Sequence, residues 1–156
     1  MNKLNHAAFI MDGNGRWGLK RNKGRNFGHF NGVRTVQRVV EQSIKLKIPI
    51  LTFYVFSTEN WKRPKSEIIF LFNLIKSYFI KELKNVMEKG IRIKILGTKK
   101  NLSSSIKTIL AETEKKTKNN KKILVNLAIN YGSRNEISNT LKTLIKSKKI
   151  TERLIN

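Results

Sequence analysis

The chain has no cysteine among its 156 residues, which excludes a disulfide framework, a thiolate nucleophile and any Cys-ligated zinc or iron–sulfur centre. A cytoplasmic protein is the simplest expectation. There are only two histidines, His6 and His29, too far apart in sequence to suggest a local metal motif. Acid is scarce: 10 Asp and Glu stand against 33 Lys and Arg, a formal charge of +23, and Asp12 is the sole aspartate. No apolar run approaches the roughly 18 to 20 residues that span a bilayer, and the first dozen residues lack the apolar core and cleavage site of a signal peptide. A soluble or peripheral protein is expected, at most seated on the inner face of a membrane. With 39% apolar residues and aromatics spread along the chain, a disordered basic tail is excluded. The length predicts a single domain over residues 1–156.

The charge does not choose a partner. Lys, Ile and Asn fill 60 positions, a bias that AT-rich codons produce without selection for binding. A field of this sign attracts nucleic acid, anionic lipid and phosphorylated substrates alike.

Apolar runs alternate with amphipathic ones. HAAFIM (6–11), ILTFYVF (50–56), IRIKIL (91–96) and KILVNLAIN (122–130) predict strands, and 29–47, 65–88, 103–118 and 134–147 predict helices. The first helix places Val33, Val36, Val40, Ile44 and Lys47 near one stripe; the second is apolar over more than one, so it must be covered on two sides or line an apolar cavity. This alternation predicts an α/β fold, a parallel sheet of four strands flanked by helices. The run KKTKNNKK (115–122) reads as a solvated helix end and turn.

Ligands on such sheets bind beyond the carboxyl ends of the strands. After the first strand comes DGNGRWG, formally a GxGxxG match. A dinucleotide site is rejected: the following LKRNKGRNFGHFNG is polar, glycine-broken and aperiodic, and no acid occurs between Asp12 and Glu41 to hold a ribose. Residues 13 to 40 do hold Arg16, Lys20, Arg21, Lys23, Arg25, Arg34 and Arg38. One carboxylate before a positive field fits a polyphosphate, with Asp12 on a bridging Mg²⁺; equally, Asp12 caps a short helix and the arginines are solvated. His29, at the start of the predicted helix, has the reach to donate to the same phosphate. His6 is expected to be packed or exposed at the edge of the first strand. After the second strand comes STENWKRP: Glu59 and Asn60 could position water or move a proton, Trp61 wall an apolar group and Arg63 hold a second anion. Alternatively, Ser66 with Glu67 or Ile69 beyond Pro64 is an ordinary helix start and Trp61 a core residue.

HAAFIMDGNGRWG, RNFGHFNGV, LTFYVFSTENWKRP and NLAINYGSR together resemble the cis-prenyltransferases, specifically bacterial isoprenyl transferases of the undecaprenyl diphosphate synthase type. The resemblance runs from about residue 6 to residue 145. It implies condensation of isopentenyl diphosphate onto an allylic diphosphate such as farnesyl diphosphate, with Mg²⁺, to a cis-polyprenyl carrier for cell-wall assembly. It also implies a sheet around a hydrophobic tunnel, and a homodimer. By the resemblance, Asp12 binds Mg²⁺ and is catalytic, and Gly13, Asn14, Gly15, Arg16, Arg25 and His29 cradle the allylic diphosphate. Trp17 contacts substrate beside them. Ser57, Thr58 and Glu59 line the junction with the tunnel, Asn60 assists proton removal, Trp61 and Arg63 bind substrate, and Glu67 has a supporting role.

The family's RTSGE-like and SNF-like stretches and a later Glu, which supply most of the isopentenyl diphosphate site and part of the metal site, do not occur. The family's NYGGR reads Asn130 to Arg134 with Ser133 in place of a glycine. The expectation is therefore an undecaprenyl diphosphate synthase-like fold lacking its C-terminal strands and helices, much of its dimer contact and some cover for its apolar surface. A degenerate transferase, a fragment and a split enzyme all fit that pattern. A noncatalytic subunit has no need of Asp12, Asn60 and Arg63 together. A nucleic-acid-binding protein explains the charge but not the motifs, and no helix-turn-helix, zinc or RRM signature appears, so nucleic acid is not the expected partner.

Overall fold

The computed structural model describes residues 4–147. Strands His6–Ile10 (β1), Ile50–Ser57 (β2), Ile91–Leu96 (β3) and Ile123–Tyr131 (β4) form one parallel sheet in the order β1-β2-β4-β3. Each strand forms within one residue of its sequence bounds, because short β-branched and aromatic runs ending in loop residues specify strands locally.

Register decides which face is core. Phe9 pairs with Phe53, and Phe53 and Ile95 both pair with Leu127, so the pleat sends these four to one side. Leu51 and Phe53 are fully buried there, Phe9 stacks on Phe53, and Val125, Ile129 and Ile93 extend the same layer. Helices Gly24–Lys45 (α2), Lys65–Glu88 (α3) and Ser104–Thr117 (α4) contribute Val40, Phe79 and Leu110 to this core. The opposite face is more polar. His6 Nε2 lies 2.8 Å from Thr52 Oγ1, which also accepts from Asn126 at 3.1 Å, while Arg92 and Lys94 are exposed. His6 is thus a hydrogen-bonded residue of an edge strand.

Two sequence expectations change. The polar stretch after Asp12 is helical: Asn14–Leu19 (α1) forms in the glycine loop, and α2 begins at Gly24, five residues before His29. The glycines here are contact points between the two helices. A Cβ on Gly18 would overlap the Gly24 carbonyl oxygen, and one on Gly28 the Asn14 carbonyl oxygen. Residues without side chains let the backbones touch, so a segment without apolar periodicity still packs as two helices. The case against a dinucleotide site therefore rests on the missing acid. At its other end α2 stops at Lys45, and Lys47 adopts φ 56 beyond it. The second correction concerns α3. Its N-cap is Pro64, with no side-chain cap bond, so Ser66 does not begin the helix by capping.

Only one side of α3 meets the sheet. Ile68, Phe72, Phe79 and Val86 are buried, whereas Ile69 and Ile80 are exposed, so the helix is not covered on two sides. The Lys/Asn run forms the end of α4 and a turn, as its composition suggests; within it Thr117 is fully buried and donates to the Thr113 carbonyl. Helix Ser133–Ser147 (α5) exposes Ile137, Leu141 and Ile145, spaced four apart, and Ile10 is exposed on the polar face of β1. Among the described residues no helix is long and apolar enough to cross a membrane.

Candidate active site

The carboxyl ends of β1, β2 and β4 open onto a cleft of about 460 Å³. Asp12 enters it from the end of β1, Ser57, Glu59, Asn60 and Arg63 from the segment after β2, and Tyr131 from the end of β4. Parallel strands bring the three loops together although they lie up to 119 positions apart in sequence, the separation from Asp12 to Tyr131.

Asp12 is mostly exposed. One carboxylate oxygen accepts from the Gly13 amide at 2.6 Å and the other lies 3.2 Å from the Arg16 guanidinium, across one turn of α1. Gly13 adopts φ 83, which turns the chain from strand to helix. Asn14 points inward, donating to the Met11 carbonyl and filling the space over Gly32. At Gly15 the Arg25 guanidinium approaches so closely that a Cβ would stand 3.0 Å from its central carbon. The glycine loop thus sets Arg16 on Asp12 and seats the Arg25 guanidinium against Gly15, but it holds Asn14 as a structural wedge.

After β2 a 3-10 turn, Thr58–Lys62, is closed by a capping box between Ser57 and Asn60, whose side-chain oxygen accepts the Ser57 amide at 3.2 Å. Asn60 is therefore fixed at the cleft. The Thr58 hydroxyl donates to Glu59 at 3.2 Å and abuts Gly132. Local hydrogen bonds from its own amide, Ser57 and Thr58 hold the exposed Glu59 carboxyl below its usual range, so it is ionised at neutral pH. Trp61 packs against Phe56 and Phe72 and donates its indole N–H to Asn130 at 2.7 Å.

The cations converge on one carboxylate. Glu67, buried in the first turn of α3, accepts two hydrogen bonds from Arg25 at 2.8 and 3.2 Å, one from Arg63 at 3.2 Å and one from His29 at 3.1 Å. Burial alone would raise the Glu67 carboxyl, but the Arg25 and His29 hydrogen bonds and the Arg25 and Arg63 charges outweigh it and hold it below the usual range. Burial pushes His29 below its usual 6.5, against the pull of Glu67 and with help from the two arginines. His29 is thus neutral at pH 7, and because an ionised carboxylate only accepts, Nε2 carries the proton.

Beside the cleft, α2, α3 and the core face of the sheet enclose an apolar cavity of about 110 Å³ whose walls include Val33, Val36, Tyr78, Phe79 and Ile129. Val55 lines both spaces. Ile91 at the far end pairs with Ile123, six residues before Ile129, so at about 3.3 Å per residue the apolar lining extends roughly 20 Å along the strands. Glu41 and Lys89, paired at 2.6 Å, tie α2 to α3 beside it.

Of the expected site residues, Asp12, Ser57, Glu59, Asn60 and Arg63 line the cleft itself; Gly13, Asn14, Gly15, Arg16, Arg25, His29, Thr58 and Trp61 stand behind or beside it, and Trp17 stacks on Phe27 on the outside of α1 and α2. Three other residues take contacts that only the structure assigns. Glu67, given a supporting role by the resemblance, is the hub of the cations; its helical stripe with Leu71 and Ile75 is a signal, since an acid on an apolar face needs partners. Asn130 adopts φ 55, accepts from Trp61 and donates to the Thr98 and Lys100 carbonyls at 2.9 and 2.7 Å. It ties the loop after β2 to the loop after β3. Tyr131 lines the cleft and donates to Glu136 at 2.8 Å.

Among the described residues no group of three or more His, Cys, Asp or Glu gathers as a metal cage. The single exposed carboxylate of Asp12 fits a different mode, in which Mg²⁺ keeps several waters and is shared between one or two carboxylates and substrate phosphates.

Known proteins share both this sequence and this architecture. The sequence profile of the family described as putative undecaprenyl diphosphate synthase matches residues 10–156. An isoprenyl transferase of Fusobacterium nucleatum subsp. nucleatum is 44% identical over 149 residues, covering 94% of this chain and 65% of the relative. A ditrans,polycis-undecaprenyl-diphosphate synthase of Buchnera aphidicola subsp. Schizaphis graminum is 42% identical over 143 residues, covering 92% and 57%. The crystal structure of a probable undecaprenyl diphosphate synthase from Campylobacter jejuni superposes with a TM-score of 0.77 at 35% identity, covering 97% of this chain and 67% of that one. The chain spans 55–65% of the length of the curated relatives it matches. A profile match over nearly the whole chain, with the same parallel sheet beneath it, means that the chain belongs to the undecaprenyl diphosphate synthase family of prenyltransferases.

Proposed function

We propose that this chain carries the allylic-diphosphate half of a cis-prenyltransferase site, which condenses isopentenyl diphosphate with an allylic diphosphate such as farnesyl diphosphate. One observation carries the reading: a cleft holding Asp12, Asn60 and Arg63 shares a wall, Val55, with an apolar cavity running along the sheet. A diphosphate needs the first and a hydrocarbon tail the second.

In this reading Asp12 holds Mg²⁺, which when bound neutralises charge on the leaving diphosphate. Arg16 and Arg25, beside the backbone amides of residues 13 to 15, receive its oxygens, and Arg63 adds a cation from the opposite loop. Neutral His29 keeps Glu67 in place and so orients Arg25. Asn60, fixed by its bond to the Ser57 amide, lines the cleft where proton loss follows attack by the second substrate's double bond. Trp61, held by Asn130 against Phe56 and Phe72, walls the apolar side. The product class is a cis-polyprenyl diphosphate, used for a cell-wall lipid carrier.

The test is retention of farnesyl diphosphate by the chain with and without Mg²⁺, followed by incorporation of labelled isopentenyl diphosphate into extractable product. Asp12→Ala should abolish Mg²⁺-dependent retention without unfolding the chain, since Asp12 is exposed and its hydrogen-bond partners, Gly13 and Arg16, are local. Equal retention by this variant overturns the role of Asp12. No retention by either protein overturns the allylic-half reading.

A further inference from the structure

The outer surface of α1 and α2 combines two features that the cleft does not use. Trp17, Phe27 and Phe30 are 39, 39 and 45% exposed, large rings on a surface rather than in a core. Around them stand Arg21, Lys23 and Arg34, with no acid in the sequence between Asp12 and Glu41. The two sets are physically joined. Trp17 stacks on Phe27 with centroids 5.8 Å apart, the Arg21 guanidinium lies 4.0 Å over the Trp17 ring, and that of Arg34 lies 4.9 Å over Phe30. Phe27, Phe30 and Arg34 lie three and four residues apart, on one stripe of α2.

We propose that this face docks on an anionic lipid bilayer. Half-exposed aromatic rings seat at the boundary between headgroups and acyl chains, and guanidinium and ammonium groups at the same level pair with anionic headgroups. Charge complementarity selects the lipid: cations without a neighbouring acid match an anionic surface and gain nothing from a zwitterionic one. A single-stranded nucleic acid needs open ring faces on which bases stack. Here the chain's own guanidinium groups already cover a face of Trp17 and of Phe30, so a bilayer, which asks for rings and cations side by side, suits the surface better. The docking needs no turnover and stands apart from the proposed function.

The experiment is flotation of the chain with vesicles of phosphatidylcholine containing about one third phosphatidylglycerol, against vesicles of phosphatidylcholine alone. Binding is expected to the first and to be at least roughly tenfold weaker to the second, because each cation near an anionic surface contributes about fivefold. Arg21→Glu with Arg34→Glu, and separately Phe27→Ser with Phe30→Ser, should each weaken binding at least roughly tenfold. If the double Ser variant loses its helical circular dichroism, Phe30→Ser alone leaves the Trp17–Phe27 stack in place and should still weaken binding by roughly threefold or more. Arg92→Glu with Lys94→Glu makes the same change of charge on the polar sheet face, and should bind like the parent. Equal loss in that control pair overturns the proposal in favour of diffuse attraction by net charge, and unchanged binding by the ring variants overturns the role of the aromatics. Displacement from the vesicles by a single-stranded RNA that fails to bind the same variants would make this a nucleic-acid surface instead.

Discussion

Glu67→Gln tests the most concentrated electrostatic feature of the site. The native carboxylate is 6% exposed and receives four hydrogen bonds, three of them from the guanidinium groups of Arg25 and Arg63, whose side chains are 44 and 29% exposed. An amide of the same shape keeps one acceptor oxygen, but it loses the charge and turns an N–H₂ donor toward cations. Removing one partner of a fully buried ion pair costs about 3 to 5 kcal/mol, because the other charge is stranded. Here the stranded arginines reach water, which lowers the figure, and neutral His29 strands no charge at all. A loss of about 2 to 3 kcal/mol is expected at pH 7, from charge-assisted bonds worth about 1.5 to 3 kcal/mol each when intact and discounted for exposure. For a chain of this length that is roughly 5 to 10 °C in Tm. Because the folded-state Glu67 is depressed below its ordinary 4.5, its contribution is present above that pH and disappears as the pH falls through the folded value. Urea titrations followed by circular dichroism at pH 7 and in mild acid would measure both effects. The variant should be less stable at pH 7, and the gap should narrow on acidification. A variant within about 0.5 kcal/mol of the parent at pH 7 would refute the view that Glu67 organises these cations.

Gly28→Ala should cost at least about 3 kcal/mol or prevent folding, since its Cβ would overlap the Asn14 carbonyl; Gly24→Ala, where no atom lies within 4 Å but φ is +75, should cost only about 1 kcal/mol, and thermal melts would separate the two. Asn130→Asp keeps an acceptor for Trp61 but sets a carboxylate against the Thr98 and Lys100 carbonyls, so a loss of about 2 kcal/mol is expected, read together with Trp61 emission in a Trp17→Phe background. The parent should lose stability as the pH falls from 6.5 toward the depressed folded value of His29, because the unfolded chain takes up that proton first; His29→Gln should flatten this part of the stability profile.

How much of this was legible depends on the range over which each feature is specified. The four strands were readable because Phe53, Val125 and their neighbours form compact apolar runs. The loops after β1 and β2 announced themselves by unusual chemistry close in sequence, the lone Asp12 ahead of seven cations and the mixed donors of residues 57 to 64. The helices of residues 14 to 28 were not legible, because their packing rests on glycines that touch backbone across the α1–α2 contact, and glycine seen in isolation signals a break. The polar row of His6, Thr52 and Asn126 across the far face likewise needs the register of three strands.

By itself the sequence determined the α/β alternation, the family and the residues that gather at the carboxyl ends of the strands, since these are properties of short segments and their order. Tertiary structure alone decided how those residues are used. Glu67 meets Arg25 and His29 from 42 and 38 positions away, and Asn130 meets Trp61 from 69. Pattern within a segment fixes which side chains face inward, but which carboxylate faces which cation is set by helices crossing one another, and that is a property of the packed chain.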